Sequence, residues 1–448
     1  MQSKKENILN QLLSSPQREQ FERMLKQLRE KPGKIEDWSS IHSPDKSMQA
    51  DYNSLKDASN SAEIFSRLVI VKLNGGLGTS MGCAGPKSLL KVRGKKTFLD
   101  LIIEQVRELN AKWKCDIPLL LMNSFYTEKE SVEFIHNRDI SITSFKQNMF
   151  PRLHAETLLP LDPEEWGELA WYPPGHGDFY SCLERQGLLR SLIKNGKDIL
   201  FVSNADNLGA VADPKILHQM IEQKIPFLIE VTPKTRADVK GGTLYEQRGK
   251  LKLLEIAQVP EDHIDEFCSQ EKFSVFNTNN IWINLIALEE RLSKGPLNLN
   301  VIANSKIIQK KPIVQLETAI GSAVDCFDGS VGLCVPRDRF MPVKNTEDLL
   351  LVQSNIFNLV GGTLVRNPER KYIDLPEIKF GHPLNKVDEF QKCFSNIPDL
   401  LELESLEVTG QVCFEGISTL KGKVKLNGMN KPIVLENMKT IENECIES

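Results

Sequence analysis

The chain has 448 residues, 40 % hydrophobic and 26 % charged, with a formal net charge of −4. Its length predicts about three domains, and its composition predicts a soluble globular protein and excludes collagen-like, mucin-like and largely disordered chains. Its 56 Lys and Arg against 60 Asp and Glu leave no basic excess to draw a nucleic acid or an anionic membrane.

The opening residues, MQSKKENILNQLLSS, lack the continuous apolar stretch of a signal peptide, and no run of about 18 apolar residues predicts a membrane span. Residues 1–57 read as a helical extension. Ile8, Leu9, Leu12 and Leu13 fall near helical spacing, as do Phe21, Met24, Leu25 and Leu28. The next part, residues 58–360, alternates short apolar runs with helical patterns. Leu68–Val71, Pro118–Met122, Ile199–Val202 and Phe227–Val231 read as buried strands, and Phe98–Ile103 as part of a helix. Such alternation predicts an α/β domain: a mostly parallel, Rossmann-like sheet with helices on both faces. Ligands of such sheets bind outside the carboxyl ends of the strands, so the polar loops there are the place to look.

Residues 361–448 differ. Gly410, Gly416, Gly422 and Gly428 recur every six positions, and Val408, Phe414, Leu420 and Leu426 share that period. A helix needs a period near 3.6 and a plain strand a period of two. Two readings fit: coils of a β-helix with one apolar row turned inward, or two β-hairpins. The nine cysteines, scattered from Cys83 to Cys445, form no CxxC pair and no zinc spacing. They predict reduced thiols in a cytoplasmic protein.

The loop after the first strand run carries the strongest local signal. Leu73-Asn74-Gly75-Gly76-Leu77-Gly78-Thr79-Ser80-Met81-Gly82 can bring backbone close to a ligand and form a concave anion site. Its spacing matches neither the dinucleotide fingerprint nor a Walker A loop. Lys87 follows closely, where a cation can neutralise phosphate charge. Asp206 stands at the expected carboxyl end of a strand. It is either a carboxylate for a hard cation or a turn-forming Asp before Asn207.

The segment from Leu73 to Ser88 closely resembles the nucleotide loop of eukaryotic-type UTP–glucose-1-phosphate uridylyltransferases, the UDP-glucose pyrophosphorylases. The resemblance continues in order through Leu121–Ser124, Trp171–Asp178, Asn204–Gly209, Glu230–Thr235, Asp238–Leu244, Leu254–Pro260, Phe276–Asn280, Gln315–Thr318 and Pro342–Lys344. It implies a helical extension, a nucleotide-binding α/β domain and a C-terminal left-handed β-helix. The loop follows the glucose enzymes rather than the related N-acetylhexosamine enzymes, whose loop usually begins Leu-Ala-Gly-Gly.

The implied reaction joins UTP and glucose 1-phosphate into UDP-glucose and pyrophosphate with Mg²⁺. The resemblance implies a nucleotide side made of Leu73, Asn74, Gly75, Gly76, Lys87, Gln147, Gly175, Asp206 and Lys344, with Asp206 also the metal ligand. Lys344 and Lys87 are the implied catalytic cations. Gln147 stands in Lys146-Gln147-Asn148-Met149, a departure from the usual Asn-Gln-Ser pattern. His176, Asn204, Gly242, Glu255 and Asn279 are the implied sugar-phosphate side. Two other readings compete: a related enzyme preferring galactose or N-acetylglucosamine 1-phosphate, and a silent sugar- or UTP-binding regulator. The regulator should lack the metal carboxylate or the phosphate lysines, yet Asp206, Lys87 and Lys344 are all present. The helical extension and the C-terminal repeat also suggest surfaces for self-association into a homo-oligomer.

Overall fold

In the computed structural model, the described residues are 9, 13–30, 35, 37–58, 61–136, 138, 141–235, 239, 241–436 and 439–448. The chain divides into two compact units. The first comprises Met1–Gly75, Trp113–Asn204 and Ala212–Arg337; the second comprises Gly76–Lys112, Ala205–Val211 and Asp338–Ser448.

Unit one is built on an eight-stranded sheet. Its strands are β1 (Gln49–Asp51), β2 (Leu68–Asn74), β3 (Leu119–Asn123), β4 (Ile142–Lys146), β5 (Ile199–Asn204), β6 (Phe227–Pro233), β7 (Val275–Asn284) and β8 (Val331–Cys334). Their spatial order is β1-β8-β6-β7-β5-β2-β3-β4. All four strands expected from apolar runs are present. β2 is buried along its whole length, as a central parallel strand covered on both faces must be. The departure is β7, which runs antiparallel to both β5 and β6. Its polar middle, Asn277-Thr278-Asn279-Asn280, hid it from a search for apolar runs.

Helix α1 (Ser15–Glu30) is the described part of the helical extension. Its Phe21, Met24 and Leu25 are buried with Phe150, Leu153, Tyr172 and Leu316 in one cluster of unit one. Leu9 and Leu13 join that cluster, whereas Ile8 and Leu12 lie outside the described residues.

Unit two gathers its core from distant segments. The expected helix appears as α2 (Phe98–Trp113), which supplies Phe98 and Leu101. Helices α3 (Thr346–Gln353) and α4 (Val387–Cys393) add Leu349, Leu350, Val387 and Phe390. The C-terminal strands are β9 (Glu377–Phe380), β10 (Leu403–Phe414), β11 (Thr419–Leu435), β12 (Thr440–Glu442) and β13 (Cys445–Glu447). Every pairing among them is parallel, which rules out the hairpin reading. Thr409 and Asn427, 18 positions apart, face each other across β10 and β11 and share a hydrogen bond of 3.1 Å. That offset is three of the six-residue periods read in the sequence. The apolar row Val408, Phe414, Leu420 and Leu426 is fully buried. Gly410 pairs with Gly428 at φ +72°, and a Cβ there would lie 2.4 Å from the Gly428 carbonyl carbon.

Candidate active site

The glycine-rich loop starts where β2 ends in unit one. Asn74 is buried, and its side chain is spent on scaffolding. Its Nδ2 donates to Asn123 Oδ1 at 2.7 Å and to Ser131 Oγ at 2.8 Å. Thr127 Oγ1 donates to the Asn74 carbonyl at 2.6 Å, and Ser124 Oγ to the Gly75 carbonyl at 2.9 Å. The ends of β2 and β3 are thereby locked together. Gln147 is seated on this loop: a Cβ at Gly75 would fall 2.5 Å from Gln147 Nε2. The Gln147 backbone N–H donates to the Asn123 carbonyl at 2.9 Å. Its Oε1 is buried without a hydrogen-bond partner. Such an acceptor is costly unless a ligand donor meets it.

Gly175 has φ +80°, and a Cβ there would come within 2.6 Å of the Thr318 carbonyl oxygen. The turn therefore needs glycine. The next residue, His176, accepts the Ile320 N–H on Nδ1 at 2.9 Å. Burial pushes its pKa down to about 4. A neutral imidazole accepting on Nδ1 carries its proton on Nε2, which is then a donor.

Four of the residues expected on the sugar side meet in two pairs. Asn279 Nδ2 donates to Asn204 Oδ1 at 2.9 Å, while Asn279 Oδ1 is buried without a partner. A Cβ at Gly242 would sit 2.8 Å from both carboxylate oxygens of Glu255. Burial raises the Glu255 carboxyl to about 7. Of the Asp238–Leu244 motif, Asp238 and Lys240 lie outside the described residues.

The phosphate candidates collect in unit two. The loop turns at Gly78 (φ +62°) and Gly82 (φ +77°). Lys87 N donates to the Gly76 carbonyl at 3.1 Å. Lys87 Nζ reaches Asp206 Oδ2 at 2.6 Å, with the two side chains 15 % and 21 % exposed. Asp206 also binds the third segment through its carbonyl, which accepts the Val343 N–H at 3.2 Å. Lys344, the next residue, is exposed. Its backbone N–H donates to Asp348 Oδ2 at 2.6 Å, and its Nζ lies 5.5 Å from the centre of the Phe340 ring. One carboxylate and two lysines, far apart in sequence, thus share one unit. Among the described residues, no group of three or more His, Cys, Asp or Glu could hold a metal.

The family model described as UTP–glucose-1-phosphate uridylyltransferase matches residues 18–421. The chain belongs to that family. UTP–glucose-1-phosphate uridylyltransferase 2 of Dictyostelium discoideum is 46 % identical over 398 residues, 87 % of this chain and 79 % of that protein. The UTP–glucose-1-phosphate uridylyltransferase of Encephalitozoon cuniculi is 47 % identical over 406 residues, 90 % of this chain and 81 % of that protein. Among solved structures, a mutant UDP-glucose pyrophosphorylase of Leishmania major in complex with UDP-Glc superposes with a TM-score of 0.89 at 31 % identity. The match covers 99 % of this chain and 98 % of that one.

Sequence reasoning missed the scaffolding residues. Asn123, Ser124 and Thr127 stand inside or beside the motif Leu121–Ser124, but nothing in their spacing shows that Asn123 holds the Asn74 side chain or that Ser124 and Thr127 grip the loop carbonyls. Asp178 was equally silent. It is buried, accepts from the Asn148 backbone N–H at 2.6 Å, and accepts from Gln20 Nε2 of α1 at 2.8 Å.

Proposed function

We propose that the chain makes UDP-glucose and pyrophosphate from UTP and glucose 1-phosphate. The observation that carries this is its 46 % identity, across 87 % of its length, to a protein named for that reaction. A phosphate oxygen of glucose 1-phosphate attacks the α-phosphorus of UTP, the bond to the β-phosphate oxygen breaks, and pyrophosphate leaves. Both reactants are anions, so positioning and charge neutralisation supply the catalysis. No side-chain nucleophile is needed.

The residues suit these tasks. Gln147 Oε1 offers an unmet acceptor to the imide N–H of uracil beside the Gly75 backbone. His176 Nε2–H and the Asn204–Asn279 pair suit the sugar phosphate, and Gly242 with Glu255 suits glucose hydroxyls. Lys87 and Lys344 bring positive charge to the phosphates, with Lys344 exposed and able to follow the charge as it shifts. Asp206 would hold Mg²⁺. A lone carboxylate fits that ion, which keeps water and takes its other ligands from substrate phosphates. When bound, it would screen the triphosphate and stabilise the leaving pyrophosphate. Until then Lys87 occupies the carboxylate.

The six-residue period, the 18-residue register and the parallel pairing support a left-handed β-helix in the C-terminal part. Nine free thiols support a cytoplasmic location. The test of function is a forward assay with UTP, Mg²⁺ and a panel of sugar 1-phosphates, measuring pyrophosphate. Glucose 1-phosphate should give the highest kcat/KM. Release no faster than a protein-free blank would sink the reading, and faster release with galactose or N-acetylglucosamine 1-phosphate would reassign the substrate.

A further inference from the structure

The antiparallel strand β7 contains a break in its pairing with β6. Ile229 pairs with Ile281 and Val231 with Asn277, so Glu230 alone faces Thr278, Asn279 and Asn280. This is a bulge, a device that re-aims side chains beside functional sites. Its apex is Asn279, at φ +60°.

Glu230 organises the bulge with its carbonyl and both carboxylate oxygens. Its carbonyl accepts from Thr278 Oγ1 at 2.8 Å. Its carboxylate accepts from Asn280 Nδ2 at 3.1 Å on one oxygen and from Trp282 Nε1 at 2.8 Å on the other. Glu230, Asn280 and Trp282 are all fully buried. Thr278 Oγ1 also accepts the Asn280 N–H at 3.2 Å, which closes the loop of contacts around Asn279. Asn279 is thus clamped on both sides while its own amide points elsewhere, with Nδ2 on Asn204 and Oδ1 buried and unpartnered. A carboxylate buried this deeply is expensive, and an apolar residue would fill a plain strand position at lower cost. One indole and one amide donor at fixed positions give the reason for it: a carboxylate offers each an acceptor oxygen.

We propose that Glu230 is a positioning residue for sugar-phosphate recognition, holding the bulge that presents Asn279 Oδ1 to the sugar. The inference rests on the functional reading above. A glutamine at this position keeps the shape but sets an N–H₂ group against the Asn280 amide or the Trp282 indole. Donor then meets donor, and the bulge relaxes.

The test is the forward assay on wild type, Glu230→Gln and Thr278→Val, with melting curves for each. Both variants should raise KM for glucose 1-phosphate, by about tenfold for Glu230→Gln and about threefold for Thr278→Val. KM for UTP should stay within about twofold, because the uracil side is built on β2 and β3. General loosening of the fold would shift both KM values together, and that result, or unchanged KM values, would overturn the proposal. Should Glu230→Gln not fold, the near-isosteric Thr278→Val decides the matter by the same criterion. Wild type that releases no pyrophosphate refutes the functional reading and this inference with it. Active wild type with no selective shift in the variants refutes this inference alone.

Discussion

Lys344 has a fixed backbone and an exposed ammonium. Asp348 and the Asn345 cap hold the start of α3, so removing the side chain leaves the helix intact. Lys344→Ala should lower kcat by about 100-fold or more with an unchanged melting temperature, because one well-aimed donor to developing charge is worth that much. A kcat near the wild-type value would reject the role. Two residues proposed for the sugar side, Glu255 and His176, should leave opposite marks on stability. Burial raises Glu255 from 4.5 to about 7, so the folded protein holds a proton that the unfolded chain has released. Folding therefore weakens as pH rises from 4.5 towards 7. Burial lowers His176 from 6.5 to about 4, so the unfolded chain gains a proton that the folded one refuses. Its contribution is lost as pH falls from 6.5 towards 4. Urea midpoints across pH 4 to 8 should show Glu255→Gln gaining on wild type as pH rises to about 7, and His176→Asn gaining on it as pH falls. Parallel curves for wild type and variants would refute both assignments. Lys87 and Asp206 were recognisable in the sequence as residue types in motifs. Their ion pair was not, since 119 positions separate them and only the fold closes that distance.

The elements that could be read from the chain are those whose signal is local. Runs such as Ile199–Val202 announce a buried strand because a central strand covered on both faces needs apolar side chains on each. β7 could not be read that way, because its middle is given over to the bulge and its four polar residues. The six-residue period of the C-terminal part was legible because each glycine and each inward apolar residue repeats. The hydroxyl and amide network under the nucleotide loop has no such period. Thr127 shows why it matters. Its Oγ1 donates to the Asn74 carbonyl at 2.6 Å and accepts the Ser124 N–H at 3.0 Å, all of it buried. Thr127→Val keeps the shape but orphans both groups, at about 1–3 kcal/mol each. The expected result is a lower melting temperature and a KM for UTP raised several-fold, with KM for glucose 1-phosphate nearly unchanged. An unaltered KM for UTP would mean that Ser124 and Asn123 suffice to hold the loop.

Across the whole molecule, the chain passes between its two units at Gly75–Gly76 and again at Asn204–Ala205, each inside a motif that carries the family resemblance. Sequence length suggested three parts. The contacts give two units, each threaded from three segments, a division that no composition shift marks. The helical extension shows what such threading does. Its periodicity predicted a packed helix but gave no partner. In the structure, Phe21 meets Phe150 edge-on at 5.2 Å, and Met24 and Leu25 are buried in the same cluster. Polar contacts extend the tie towards Asn148, next to Gln147. Gln17 Nε2 donates to Asn148 Oδ1 at 3.1 Å, Gln20 Nε2 donates to Asp178 at 2.8 Å, and Asp178 fixes the backbone N–H of Asn148 at 2.6 Å. Asn148 adjoins Gln147, so α1 braces the residue assigned to uracil from behind. Removing residues 1–30 should strip about 1.5–3 kcal/mol for each large apolar side chain lost and lower the melting temperature by several degrees. It should also raise KM for UTP more than KM for glucose 1-phosphate, because the brace ends on the nucleotide side. Gln20→Ala should reproduce part of the UTP effect with little loss of stability. If the truncated protein loses stability while both KM values stay at wild-type levels, α1 serves the core alone and the brace has no part in nucleotide binding.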